Sequence, residues 1–313
     1  MPLGRYALAT VGAVVLTMSH AAFGAQPMPV ETVLAQVARY VGDFIPRFAN
    51  VVAVETYEQR TTAQLGTTMG LPEGMRVDGF GSTRSVVWRL TSDFMLVRYQ
   101  LAELNWIAFR DPAVVNGIVL DRPHDRLVRL FTEATVDAAE RAAAIAMEST
   151  RFQIPGGSFA VTNPLLVVAL MQAHYQPRLR FTLGSEERIV GTRVRGLRFE
   201  EREEQPAEPG AGNRARQKWP PLLGDVGRVR GTAWVDPETG RIVRTEARLG
   251  AVSTVATTLT TFAHDERLAL TVPVEMRTSW TYKERPVTGI ATYGEFRRFG
   301  VQTGTQVQPP PQP

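Results

Sequence analysis

The sequence predicts an α+β protein built on a single curved antiparallel sheet, an incomplete and open β-barrel with helices covering its concave side. Runs of β-branched and aromatic residues recur at strand length through most of the chain. Turn-forming pairs such as Asn116-Gly117 separate neighbouring runs closely enough for hairpins. Helical spacing of apolar residues is confined to an N-terminal segment and to the middle of the chain.

The N-terminal helix is predicted over residues 31–48, where apolar residues recur at helical spacing and Pro46 is the expected end. A second helical region is predicted over residues 124–152. A third, apolar nearly all round and therefore buried, follows Asn163-Pro164. Asn is a favoured N-cap residue, and Pro suits the first helical turn.

About ten strands are predicted, with a long loop or hairpin over residues 62–83 and an exposed loop over residues 201–225. The turn Asp236–Gly240 predicts a tight hairpin closed by a glycine with positive φ. Residues 272–282 alternate so strictly that one face of this strand should be covered and the other in water. The predicted strands are 51–54, 85–90, 94–99, 106–110, 114–120, 189–199, 229–235, 242–249, 252–262, 272–282 and 287–296.

The first 25 residues have the three-part pattern of a secretory signal peptide. Arg5 is followed by an apolar stretch that is too short for a comfortable membrane span, and then by small residues around Gly24. The remaining chain predicts one antiparallel-sheet domain over residues 26–301 and a disordered, Pro-rich tail over residues 302–313. We expect no transmembrane span after cleavage of the signal.

The amino-acid composition limits the possible cellular compartments and the possible binding partners. The chain contains no cysteine, so it has no disulfides and no thiol for a lipid anchor. This predicts a periplasmic protein that is not lipid-anchored. The formal net charge of +4 falls to +3 without Arg5, and Arg residues are interspersed with Asp and Glu. No basic stripe with interleaved aromatic residues is present, so we expect no nucleic-acid partner.

No catalytic constellation stands out. His124, His174 and His264 are not at metal-ligand spacing from one another, and each is expected to be structural or solvated. Ser158 lacks the glycine pattern of a nucleophile elbow, and Gly156-Gly157 lacks the residues of a phosphate-binding loop. The sequence therefore predicts a protein that is not an enzyme and that has no metal and no cofactor.

The hairpin over residues 234–246 resembles that of periplasmic lipoprotein-carrier and lipoprotein-sorting proteins, and of envelope-stress regulators with the same fold. The ending over residues 290–299 is similar to that of exported bacterial proteins of uncharacterised function. The resemblance is topological over most of the chain and specific in the hairpin. It implies a curved sheet whose concave side is lined with apolar side chains and closed by helices. It transfers no functional residue, because the carriers' lid-closing arginine matches no position here.

Large apolar side chains in the predicted strands are the candidate ligand-binding residues. Such side chains fill an ordinary core, or some of them line an apolar cleft that holds a lipid. Each buried methylene of an acyl chain contributes about 0.8 kcal/mol, so about twelve would contribute about 10 kcal/mol. The candidates are Trp88, Phe94, Leu96, Trp106, Trp234, Met276 and Trp280.

Three functions remain open. The first is a periplasmic carrier that holds a lipid acyl chain or a lipidated protein. The second is an interaction or sensor module of the same fold, with a solid core and an envelope protein as its partner. The third is a hydrolase whose site has no recognisable spacing.

Overall fold

The computed structural model describes residues 28–64, 76–78, 83–98, 106–120, 144, 147–155, 160–203, 222–223, 227–250 and 255–298. The predicted signal peptide, most of the predicted helix over residues 124–152, most of the loop over residues 201–225 and the predicted tail lie outside these ranges. Within the described ranges, no helix is both long and apolar enough to span a membrane.

All the strands belong to one antiparallel sheet that is curved and not closed. The strands are β1 Val51–Gln64, β2 Arg76–Asp78, β3 Thr83–Arg98, β4 Trp106–Val115, β5 Ile118–Val119, β6 Leu179–Ile189, β7 Thr192–Glu201, β8 Val229–Val235, β9 Ile242–Leu249, β10 Ala256–Asp265, β11 Leu270–Tyr282 and β12 Arg285–Arg298. Their order in the sheet is β5-β4-β3-β1-β12-β11-β10-β9-β8-β7-β6, and, among the described residues, β2 pairs with β3 alone. Most strands pair with their neighbours in the chain, but β5 and β6 lie at opposite edges, and β1 lies between β3 and β12.

The hairpins with strong turn residues form where the sequence predicts them. β8 and β9 have the predicted bounds, and Asp236 Oδ1 accepts hydrogen bonds from the backbone N–H groups of Glu238 and Thr239. Gly240 closes this turn with φ of 74°. Asn116 and Gly117, with φ of 51° and 84°, connect β4 to β5. Positive φ at both central residues is the requirement of a two-residue type I′ turn.

Two predicted strand assignments are wrong. The predicted strands 85–90 and 94–99 are one continuous strand, β3, because the polar residues between them pair with β1 at one edge and with β4 at the other and do not form a turn. Ser92 is buried on the inner face, while Asp93 accepts a hydrogen bond from Arg297 at 2.7 Å on the outer face. Residues 189–199 instead contain a turn at Val190-Gly191, which separates β6 from β7.

Helix α1, Val30–Phe48, is confirmed, although Pro46 lies inside the helix and not at its end. Its buried face packs against the inner side of the sheet. The turn at Gly240 lies directly against α1, since a Cβ there would stand 2.3 Å from the carbonyl carbon of Gln36. Helix α2, Leu166–Leu170, is short and almost wholly buried, and the Leu165 N–H donates to Asn163 Oδ1 at 2.9 Å.

The main core lies between the concave face of the sheet and the segments that cover it. Strand side chains alternate, so each strand contributes every second residue to this core. The half of the sheet from β6 to β11 is covered by α1 and α2, which contact β11, β6 and β9. The other half, from β12 to β4, is covered by residues 149–155 and 160–165, which form no strand. We call these two stretches the cover.

Candidate functional site

Five of the predicted ligand-binding residues meet in one place. Trp88, Phe94 and Leu96 from β3 and Met276 and Trp280 from β11 belong to the same buried cluster on the concave face. Trp88 and Phe94 are 0% exposed. The structure therefore places these residues in one core, where Trp88 and Trp280 contact the cover. Whether they contact a ligand stays a prediction.

The other two predicted residues do not join this cluster. Trp106 begins β4, and its side chain lies outside the described part of the structure. Trp234 lies on the convex face, where it packs with a small separate apolar group, Ile189, Val194 and Val243. Its indole N–H donates to Glu187 at 2.5 Å. The strand register explains this placement, since the inner positions of β8 are the odd-numbered residues.

The cover is held to the sheet by polar side chains that reach its backbone. The Trp88 indole N–H donates to the carbonyl oxygen of Phe152, and the Trp280 indole N–H donates to that of Pro155 at 3.3 Å. The Ile154 N–H donates to Gln59 Oε1 at 2.7 Å. Between these bonds, the Ile154 side chain is 0% exposed within the concave core. The cover thus fills the sheet's inner surface without pairing to any strand.

A fully buried ion pair lies on the same face. Arg110 of β4 donates to Glu55 of β1 through Nε at 2.5 Å and Nη2 at 2.9 Å, and both side chains are 0% exposed. The guanidinium carbon also lies 5.7 Å and 5.5 Å from the ring centroids of Tyr57 and Phe94. This two-point geometry satisfies the carboxylate while aromatic rings surround the cation.

Arg110 also joins the pair to the cover. Its Nη2 donates to the carbonyl oxygen of Thr162, its Nη1 to Thr162 Oγ1 at 3.4 Å, and its backbone N–H to Ser149 Oγ at 3.2 Å. Ser149 and Thr162 lie on opposite sides of residues 156–159, so one arginine holds both stretches of the cover. Arg110 is therefore the charged link between the sheet and the cover.

Burial shifts the pKa of the groups around this pair. Burial alone lowers the pKa of Arg110, but the Glu55 carboxylate more than offsets this and holds it above its ordinary value. The pKa of Tyr293 is raised well above its usual value of 10.0, first by burial and then by the negative charge of Glu55. Burial also raises the pKa of Tyr57. Arg110 is therefore charged, and both tyrosines are neutral, at physiological pH.

Sequence reasoning missed Glu55 and Arg110, although strand alternation could have found them. Glu55 lies on the same face of its strand as Ala53 and Tyr57, which are apolar or aromatic and buried. Arg110 lies on the same face of its strand as the buried Ala108. When the buried faces of two strands each carry a charged residue, a buried ion pair is indicated. What the sequence could not supply is the order β1-β3-β4, which brings the two side chains together.

The histidines give no site in the described part of the chain. His174 and His264 are exposed, and His124 lies outside the described residues. Among the residues that the structure describes, no three His, Asp or Glu side chains are grouped closely enough to hold a metal ion.

No protein-family model and no curated protein sequence matches this chain. Among solved structures it is similar to a DUF1329 family protein from Desulfovibrio piger, with 10% identity, a TM-score of 0.33, and coverage of 86% of this chain and 93% of that one. It is also similar to LprF from Mycobacterium bovis, with 12% identity, a TM-score of 0.23 and coverage of 86% and 94%. A chain of the Pseudomonas aeruginosa MucA/MucB complex shows 8% identity, a TM-score of 0.20 and coverage of 86% and 99%.

Proposed function

We propose that this protein is an exported, periplasmic carrier that holds the acyl chain of a lipid or lipidated protein against its concave face. The observation that supports the proposal most directly is the cover. It covers a large apolar surface through the bonds from Trp88, Gln59, Trp280 and Arg110 and through buried side chains such as Ile154, Val161 and Leu165, without taking part in the sheet. An acyl chain would take the place of the cover on this surface. The proposal includes no catalytic step, no metal and no cofactor.

The energies allow such an exchange. A neutral hydrogen bond contributes about 0.5–1.5 kcal/mol net, so the four bonds from Trp88, Gln59, Trp280 and the Arg110 backbone to residues 149–155 contribute roughly 2–6 kcal/mol together. Exposing the Ile154 side chain costs about 2–3 kcal/mol more. Burying about twelve methylenes returns about 10 kcal/mol. A long acyl chain can therefore displace this part of the cover, whereas a short one cannot.

Buried polar atoms on the concave face suit a ligand that also has a polar group. Ser92 Oγ is buried in the position opposite Glu55 of the ion pair, and Thr258 Oγ1 is buried farther along the sheet. Neither atom has a hydrogen-bond partner among the described residues. Such atoms are uncommon in folded proteins and call for a partner. The ester or carboxyl group of a bound lipid would supply donors or acceptors for them.

A second candidate function is the interaction or sensor module. The observation that favours it is the dense packing of the same face, where Trp88, Phe94 and Ile154 are all 0% exposed. Under this proposal the cover never leaves the sheet. The concave residues then form the core, and the partner is an envelope protein that binds elsewhere on the surface.

A reversible lock on the cover tests the carrier proposal. The chain has no cysteine, so Gln59→Cys with Ile154→Cys introduces the only thiol pair, at two neighbouring residues that are joined by the bond from the Ile154 backbone N–H to Gln59 Oε1. The exported protein is offered long-chain fatty acids and phospholipids, and bound lipid is measured by native mass spectrometry. We expect lipid binding by the wild type and by the reduced variant, and none by the oxidised variant. The reduced form is the matched control, since it differs by one bond.

Two outcomes would contradict the proposal. Equal binding by the oxidised and reduced forms would place the lipid away from the cover. A wild-type protein that carries no lipid after export and takes up none of the added lipids would favour the interaction module. Hydrogen exchange of the Ile154 backbone amide gives a second measurement on the wild type. If lipid displaces the cover, the bond from this amide to Gln59 is broken and the amide must exchange faster.

A further inference from the structure

The convex face of the sheet carries an unusual group of arginines on four adjacent strands. We call Arg180 of β6, Arg198 of β7, Arg230 of β8 and Arg248 of β9 the arginine patch. Glu200 is the cross-strand partner of both Arg180 and Arg230, and Arg230 is in turn the partner of Arg248. Arg198 lies two residues along β7 from Glu200, on the same face.

Positive charge is in excess within the patch. Two acidic side chains, Glu200 and Glu246, line the same trough as the four arginines, which leaves two positive charges uncompensated. Glu246 is engaged by Arg248 at 2.9 Å, and Glu200 lies 3.9 Å from Arg180. Across the described ranges of the chain, Arg198 and Arg230 have neither an ion pair nor a side-chain hydrogen bond. Two guanidinium groups are thus available to a ligand.

The pairing of β8 with β9 places two arginines opposite each other, and the repulsion between them does not help to form the fold. Arg230 and Arg248 stand directly opposite each other on neighbouring antiparallel strands. Like charges in this position destabilise a sheet, because their Cβ atoms are only about 5 Å apart. An anion between the two side chains would turn this repulsion into attraction.

The space between these side chains fits a small anionic group. It is an open trough of about 380 Å³, and the hydroxyl residues Thr182 and Thr232 also line it. Guanidinium groups bind phosphate oxygens through paired hydrogen bonds, and hydroxyl groups add further donors. A phosphate offers more acceptor oxygens than a carboxylate and therefore uses more of the donors of the patch.

We propose that the arginine patch binds a phosphate-bearing ligand. This site lies on the face of the sheet opposite the acyl-chain site, and it does not depend on the carrier function. The shared chemistry is a phosphate group, which a free phosphate or the headgroup of an anionic phospholipid can supply.

Binding is measured with the exported protein and two kinds of probe. Inorganic phosphate is titrated by calorimetry, and vesicles of phosphatidylglycerol are compared with vesicles of phosphatidylcholine by co-sedimentation. We expect Arg198→Gln and Arg230→Gln each to weaken binding by about tenfold or more, since hydrogen bonds to charged groups contribute about 1.5–3 kcal/mol. Arg277→Gln is the matched control, because Arg277 is an exposed arginine that already pairs with Glu275 at 2.8 Å. It should bind as the wild type does.

The two probes distinguish the source of the phosphate. Binding of inorganic phosphate identifies a site for the group itself, and binding only to phosphatidylglycerol vesicles identifies the lipid headgroup. Two results would overturn the proposal: no binding to either probe, or an equal loss in Arg277→Gln, which would indicate general charge attraction.

Thermal stability separates binding from a structural role of Arg230. Without phosphate, Arg230→Gln should melt at or above the wild-type temperature, because it removes the repulsion with Arg248. With phosphate, the wild type should gain stability and the variant should not. A variant that melts lower than the wild type and responds equally to phosphate would show that Arg230 only supports the fold.

Discussion

At the residue scale, the buried pair of Glu55 and Arg110 is the feature that apolar packing does not explain. Removing two charges from water costs several kcal/mol per ion, and mutual attraction repays this only with good geometry and further hydrogen bonds. Both conditions are met here, through the two-point contact and through Thr162. A pair of apolar residues would fill the same space at no electrostatic cost. We therefore interpret the pair as a device that sets the position of the cover.

A double-mutant cycle tests this interpretation. Glu55→Leu should lower the free energy of unfolding by about 3–5 kcal/mol, because it leaves the Arg110 charge buried without its partner. Adding Arg110→Met should restore most of that loss, since two apolar side chains then replace two charges. Urea unfolding of the two single variants and the double variant gives the coupling energy. Additive losses would mean that the two side chains do not act as a pair.

The double variant also separates stability from placement of the cover. It retains an apolar core but lacks the bonds from the Arg110 side chain to Thr162. Amide exchange in residues 160–165 should therefore be faster than in the wild type, even where global stability is equal. Unchanged exchange there would assign the pair a purely structural role.

At the element scale, the turn of the β6–β7 hairpin holds a β-branched residue in a strained backbone conformation. Its turn is Val190-Gly191, and Val190 has φ of 47° while its side chain is 85% exposed. A β-branched residue is rarely found in the left-handed region, and no burial of Val190 offsets the cost. The β4–β5 hairpin uses Asn116-Gly117 for the same backbone geometry.

Replacing the strained residue should stabilise the protein. Val190→Asn should raise the free energy of unfolding by about 1 kcal/mol, because Asn tolerates positive φ and Val does not. Gly191→Ala, at φ of 77°, is the opposing control and should lower it. Urea titration compares the two variants with the wild type. A loss of stability in Val190→Asn would show that the Val190 side chain makes a stabilising contact that outweighs the backbone strain.

At the scale of the whole molecule, the sheet is open, and its two ends are covered differently. Helices α1 and α2 cover the half from β6 to β11, and the cover closes the half from β12 to β4. An open sheet of this width encloses more space than its own side chains fill, so further chain must enter the concave side. The ion pair and both buried tyrosines lie in the half under the cover.

These tyrosines make the stability of the whole protein sensitive to alkaline pH. The pKa values of Tyr57 and Tyr293 are raised in the folded protein, so above about pH 10 the unfolded chain releases protons that the folded chain keeps. Their contribution is therefore complete below about pH 10 and is lost as the pH rises toward the folded pKa values. Urea unfolding between about pH 8 and about pH 11 should show this loss.

Phenylalanine substitution identifies the groups responsible. Tyr57→Phe with Tyr293→Phe should make the alkaline part of the stability curve less steep. Below about pH 10 it should also cost about 1 kcal/mol, because the bond of 2.9 Å between the Tyr57 hydroxyl and Thr278 is lost. Burial also raises the pKa of Tyr40, so tyrosinate absorbance of the native wild type should show late ionisation of Tyr40, Tyr57 and Tyr293, and the double variant should lose two of these groups. A curve as steep as that of the wild type in the double variant would refute the assignment.

Local pattern was sufficient for the fold class, helix α1 and the β8–β9 hairpin. In each of these, neighbours in the chain make the contacts that stabilise the element: an apolar face at helical spacing, or a turn closed by Asp236 and Gly240. Local pattern failed at β3 and at Val190-Gly191. At β3, pairing with β1 and β4 keeps polar residues in a strand. At Val190-Gly191, pairing between β6 and β7 on either side of the turn holds a valine in it. Turn propensity alone opposes both arrangements.

The sequence by itself determined an antiparallel sheet with alternating inner and outer residues, and it named Trp88, Phe94, Met276 and Trp280 among the candidates for the covered face, together with Trp234, which lies on the outer face. Only the tertiary structure decided what these side chains meet. The strand order brings Glu55 to Arg110 across β3, and it gathers four arginines on the outer face. Alternation depends on backbone geometry within one strand, whereas strand order depends on contacts between residues far apart in the chain. For that reason, both the covered site and the arginine patch emerged from the fold.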